Sequence, residues 1–271
     1  MGRRNQKLQS KISGKYCIFC GGVALADTIE HAPPRALFRN KMRPKGLEFP
    51  ACSRCNSGSS QLDQVAACLA LVSGQIVNDE VDASQIEKLL NGVNNNSPVV
   101  LQYFEDTGKA EEIIFDRKGE KELVYRVPVN RRLFRNWLNP WAAKQAAALW
   151  FEHSGRIVSF EHRINVQWIN TDNILRNGVS EGIIETLPNF EFMKSGKVSF
   201  AEQFSYYYNI NEKENLAGFF VILHNSVAFL ATIFPAHSMI TSQIQFEFGS
   251  IFRITENGIE RCLTAPIADL T

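Results

Sequence analysis

The sequence predicts an α+β protein: a zinc-stapled module at the N-terminal end, then a larger mixed region that turns to β. Three observations predict it. Two Cys-x-x-Cys pairs, Cys17/Cys20 and Cys52/Cys55, lie close together early in the chain. The segment PWAAKQAAALWF, Pro140 to Phe151, is rich in Ala and Leu and reads as the strongest helix. From Arg156 onward, alternating and aromatic runs replace helical periodicity.

The cysteine spacing is the sharpest of the three. Thiolates at i and i+3 reach one ion from a tight turn. Two such turns supply four sulfurs, the closed tetrahedral shell of structural zinc. The other two cysteines, Cys68 and Cys262, are far apart in sequence. The pattern therefore reads as metal ligation in a reducing, cytoplasmic compartment and not as a disulfide framework. The pairs enclose 31 residues, Gly21 to Ala51, longer than the loop of a simple zinc ribbon. Inside that loop sits the dipeptide Glu30-His31, and Asn56 follows the last cysteine.

At 271 residues the chain can bury a full core without help from a metal. An apolar fraction of 45% and a charged fraction of 21% are those of an ordinary globular protein. The basic start, MGRRNQKLQSKISGK, lacks an apolar stretch and is not a secretory signal. No apolar run reaches the length of a spanning helix, so none is expected. Charge is uneven: residues 1–50 hold ten Lys/Arg against three acids, a net +7 in a chain of net +1. A cationic end beside the cysteines suits a polyanion such as nucleic acid. Residues 1–15 alone read equally well as a solvated, flexible arm. Arg35, Arg39, Lys41 and Arg43 lie within the loop itself, and with Arg54 they are the candidate contacts to nucleic acid.

In chain order, Tyr16–Gly22 forms the first knuckle and Ala24–His31 a hairpin strand, stopped by Pro33-Pro34. Arg35–Asn40 makes one helical turn and Leu47–Phe49 a second strand. After the second knuckle a helix runs to about Val72, with Gly74 as its stop. Asp82 and Gln85 cap a helix through Leu90. The turn-rich Asn91–Ser97 reads as a loop or hinge, and composition places a boundary within 91–98. This gives a nuclease-sized module over 16–92 and a mixed domain over 98–271. Val99–Phe104, Glu111–Phe115 and Glu122–Val127 are candidate strands. The helix from Pro140 ends near Gly155. Strands follow at Arg163–Asn170, Phe204–Ile210, Gly218–Leu223, Val227–Phe234, Phe246–Thr255 and Ile259–Leu263, with Asn257-Gly258 as a hairpin turn.

Cutting a phosphodiester takes a base for the attacking water and positive charge on the phosphate. His31 can be the base, since imidazole titrates near working pH. Glu30 and Asn56 offer oxygens to Mg²⁺ or Mn²⁺. Adjacent strand residues point to opposite faces, so Glu30 and His31 share a site only where the backbone bends.

These residues carry a resemblance. Cys-x-x-Cys, Glu-His-x-x-Pro and Cys-x-x-Cys-Asn resemble the HNH endonucleases, built on a β-hairpin and helix around one metal, the ββα-metal fold. The pattern is most similar to a bacterial group matched here by Cys17–Gly21, Thr28–Pro34, Leu37-Phe38, Pro50–Cys52, Cys55-Asn56 and Ser60…Asp63. Lys144–Arg156 (KQAAALWFEHSGR) is similar to a helix of that group. The resemblance implies His31 as general base, a divalent ion on Glu30 and Asn56, structural zinc on the four cysteines, and DNA cleavage that leaves a 5′-phosphate. RNA stays open as a substrate. Ser59 and Gln64 depart from the group's pattern; Arg35 or Arg54 could supply the missing charge.

The contrasting class is a zinc-knuckle adaptor that binds nucleic acid or a protein without cutting. A third reading gives residues 98–271 a partner or ligand that gates the module. A zinc deaminase needs His-x-Glu and Pro-Cys-x-x-Cys. Pro33 stands two residues after His31, and Ala51 separates Pro50 from Cys52, so that reading fails twice. His153, His162, His224 and His237 have no ligand-like spacing, and Tyr206–Tyr208 reads as core or sheet surface.

Overall fold

The computed structural model describes residues 12–43, 45–78, 83–105, 111–117, 120–126, 130–170, 193–200, 202–237 and 250–262. The fold is mixed α+β, with a four-cysteine cluster near the N-terminus and a sheet-rich region after it.

Strands β1 (Thr28–His31) and β2 (Glu48–Ala51) pair antiparallel, with Glu30 opposite Phe49 and His31 opposite Glu48. The loop between them makes two 3-10 turns, Arg35–Leu37 and Arg39–Lys41. Leu37 and Phe38 drive that loop into the core, and both are fully buried. Helices α1 (Ser53–Ser57) and α2 (Ser60–Asn78) follow β2 directly. The order strand, strand, helix thus spans the cysteine-rich region.

Three expectations are corrected. Helix α2 passes through Gly74 to Asn78, because one glycine costs a helix only about 1 kcal/mol. Asn91–Asn96 is not a loop but the last turns of α3 (Ala83–Asn96). Asn96 Nδ2 donates to Gln64 Oε1 at 3.0 Å, so contacts with α2 outweigh the weak propensity of asparagine. Val99–Glu105 is helical (α4) and not a strand; Val100 packs inward, and the Ser97-Pro98 start suits a helix N-terminus. Asp82, the arm 1–11, Val127, residues 246–249 and Leu263 lie outside the described residues.

Strands β3 (Glu111–Arg117) and β4 (Glu120–Arg126) form a hairpin. A short helix α5 (Arg131–Leu133) continues through a π turn, Phe134–Leu138, into α6 (Asn139–Ser154). Gly155 ends α6 in the left-handed region at φ 68°, and its N–H donates to the Phe151 carbonyl. The main sheet is antiparallel with seven strands, β5 (His162–Asn170) to β11 (Gly258–Arg261), in the order β11-β10-β5-β9-β8-β7-β6. Here β6 is Lys194–Ser195, β7 Phe204–Asn211, β8 Leu216–Leu223, β9 Val227–Pro235 and β10 Ser250–Thr255. Every residue of β9 from Ala228 to Phe234 is buried, as befits a strand near the middle of a sheet.

Helix α6 is the keystone. It packs on β5, β8, β9, β10 and β11, and also on α2. Trp141 stacks on Trp168 at 6.3 Å and meets Phe229 edge-on at 5.9 Å. One apolar cluster therefore runs from the cysteine knuckles through α6 into the sheet. Among the described residues no helix is long and apolar enough to cross a membrane.

Candidate metal centre and its cationic neighbour

The knuckles are set by backbone. Gly21 and Gly22 turn the chain at φ 65° and 78°, and Gly22 N–H returns to the Cys17 carbonyl at 3.2 Å. Ile18 N–H donates to the Pro50 carbonyl at 3.2 Å, tying the first knuckle to β2. Asp27 accepts from Ser53 N–H at 2.6 Å and Ser53 Oγ at 2.8 Å, and so anchors the start of α1. Cys52 caps α1 and Cys55 lies within it. The result brings Cys17, Cys20, Cys52 and Cys55 together, with all four sulfurs within 4.8 Å of one another. Tetrahedral zinc at about 2.3 Å from each sulfur puts the sulfurs about 3.8 Å apart, so the donor set fits the ion. The Cys17 thiol is pulled down to about 5, chiefly by a hydrogen bond from Cys55, whose own thiol is pushed up. Cys68 is buried in α2, outside this group, and burial pushes its thiol up to about 11.

His31 ends β1 with 30% of its side chain exposed. Its Nδ1 lies 4.0 Å from Glu48 Oε1, and the Arg43 guanidinium holds the same oxygen at 3.1 Å. Asn56 projects from α1 back to β1, where Nδ2 donates to Thr28 Oγ1 at 3.0 Å and the Ile29 carbonyl at 3.3 Å. The expectation that the staple returns Asn56 to the Glu30-His31 strand describes this contact.

Glu30 goes elsewhere. It is 3% exposed and turns inward, away from the half-exposed His31, as strand alternation dictates. Its Oε2 meets Lys144 Nζ of α6 at 2.8 Å. Burial pushes the Glu30 carboxyl up, and Lys144 pulls it back. Lys144 Nζ also donates to Ser59 Oγ and sits 5.4 Å above the Phe19 ring. Asp63 completes the group: it accepts from Trp141 Nε1 at 3.0 Å and feels both Lys144 and Glu30. As packed, Glu30 does not offer an open oxygen to a divalent ion, because an ammonium already holds it.

Lys144 is the residue that the pattern-based reading left without a role. Its signal was visible: a single charge among nine apolar side chains in PWAAKQAAALWF. Ser59 and Gln64 carry structural bonds, Ser59 to Lys144 and Gln64 to Asn96.

The five basic candidates divide. Arg35 and Lys41 are exposed, and Arg39 is half-buried. Arg43 is spent internally on the Leu47 carbonyl and Glu48, so it is not a surface contact. Arg54, though exposed, binds Asn257 Oδ1 at 3.1 Å and the Glu256 carbonyl, and pins the β10–β11 turn to α1. The other histidines are structural where described: His224 Nε2 donates to the Leu37 carbonyl at 2.8 Å, and His153 stacks on Tyr208 at 3.6 Å. Tyr206 is buried, and its hydroxyl meets His153.

Burial pushes the Asp63 carboxyl up to about 7 from an ordinary 3.8. The folded state then binds the proton more tightly than the unfolded state. Stability from this group is present below about pH 4 and lost as pH rises toward 7. Partial exposure limits the effect to an order of 2 kcal/mol. Asp63→Asn should flatten the difference between urea unfolding at pH 4.5 and at pH 7.5. An unchanged pH dependence would contradict the burial of that charge.

Comparison with protein-family models, with curated proteins and with solved structures finds no match to this chain.

Proposed function

We propose that the protein is an HNH-type endonuclease that hydrolyses DNA phosphodiester bonds, with His31 as general base. The observation that carries this reading is the placement of His31. It ends a strand in a strand–strand–helix unit stapled by four thiolates, half-exposed and facing a carboxylate. Glu48 orients Nδ1 and favours the imidazolium that forms when the ring takes a proton. Nε2 then removes the proton from water as its oxygen bonds to phosphorus, and the P–O3′ bond breaks to leave a 5′-phosphate. Arg35 and Lys41 supply exposed cations for flanking phosphates. Asn56 holds β1 to α1, which keeps His31 in register with Glu48. Zinc would keep the frame and take no part in the chemistry, since four thiolates leave no open position. A hard divalent ion is the usual source of phosphate neutralisation in such enzymes. Glu30 in its present packing does not fit that task, and no step is assigned to the ion.

The adaptor reading keeps one specific support, the closure of Glu30 by Lys144. His31→Ala separates the two. It should keep its zinc, its melting temperature and its DNA affinity while cleavage falls by at least a hundredfold. Cleavage retained in that variant would remove His31 from the mechanism.

A further inference from the structure

Glu30, Ser59 and Asp63 come from β1, the α1–α2 junction and α2, and they converge on one ammonium from α6. Each presents oxygen. Lys144 is 4% exposed, and its charge has no route to bulk water except past these groups. An oxygen-lined pocket of this kind is what a hard divalent cation takes. A partly open cavity of about 140 Å³ reaches the same spot, lined by Ser59, Lys144, Phe19, Arg54 and Gly258. The cavity gives an ion a path from solvent.

We infer that Lys144 is the resident cation of a divalent-ion site built on Glu30 and Asp63, and that Mg²⁺ or Mn²⁺ occupies this site only by displacing it. The inference rests on the nuclease reading for its use and on the packing alone for its existence. The ammonium and the ion compete for the same carboxylates, so the wild-type protein binds the ion weakly. Removing the ammonium frees two carboxylate oxygens and the room of four methylenes. Ser59 Oγ remains as a further donor. The ligands differ from the Glu30–Asn56 pair expected from the sequence, since Asn56 Nδ2 is committed to Thr28 and Ile29.

The test is Mn²⁺ binding to the zinc-loaded full chain, read by loss of the free-ion EPR signal and by the shift of melting temperature. Lys144→Ala should bind one Mn²⁺ at least tenfold more tightly than wild type and melt higher when Mn²⁺ is added. Lys144→Gln, which keeps donors for Glu30 and Ser59, carries the test if the alanine variant does not fold. Glu30→Gln/Lys144→Ala should lose the gain. Equal Mn²⁺ affinity in wild type and in a folded Lys144 variant would overturn the inference, as would undiminished binding in the double variant. Neither readout uses DNA, so failure of the nuclease reading leaves the result interpretable.

Discussion

Lys144→Met should destabilise the folded protein by about 3–5 kcal/mol, the cost of leaving one member of a buried ion pair without its partner. Lys144 and Glu30 are both almost fully buried, 2.8 Å apart, and Asp63 adds a second carboxylate to the same pocket. Methionine preserves the volume and the contact with Phe19, so the loss reports charge and hydrogen bonding, not a cavity. Glu30→Gln/Lys144→Met should recover most of it, because an apolar or neutral replacement of both partners is often near neutral. Urea unfolding at pH 7.5 without added divalent ion measures both. A single-variant loss below about 1 kcal/mol would mean that the pair is solvated.

Cys17→Ser should abolish zinc retention and lower the melting temperature by on the order of 10 °C or more. The four thiolates close one shell, and removing one leaves three buried sulfurs without their ion. The knuckles carry Ile18 and Phe19 into the common core, and Pro50 and Ala51 of β2 hang on them by backbone bonds. Loss of zinc therefore loosens the β1–β2 hairpin first. Metal analysis should find one zinc per wild-type chain and almost none in the variant. Cys68→Ala, outside the cluster, should keep its zinc. Full zinc content in Cys17→Ser would contradict the four-thiolate centre.

Where local chemistry dominates, the sequence was readable. Cys-x-x-Cys spacing identified the metal group, an Ala-rich run gave α6, and Gly155 gave its end. Alternation and turn residues placed the strands from β7 to β9 almost to the residue. Where tertiary packing overrides local preference, it was not. Asn91–Asn96 is helical because α3 docks on α2, and no local pattern announces that. Val99–Glu105 is β-branched and aromatic, which reads equally as a strand. The site divided in the same way. Strand alternation foretold that Glu30 and His31 face apart, but Lys144 lies 114 residues from Glu30. Only the docking of α6 against β1 and α2 brings its charge there, and Arg43 and Arg54 were likewise claimed by partners invisible in the chain order.

The most direct measurement is supercoiled-plasmid cleavage by the purified wild-type protein at millimolar Mg²⁺ or Mn²⁺, with His31→Ala alongside. Nicked or linear product bearing 5′-phosphates, absent in the variant, is the result expected of a nuclease with His31 as its base. Plasmid that is shifted in the gel yet uncut at every metal concentration would contradict it, and would make the protein a zinc-stapled binding module.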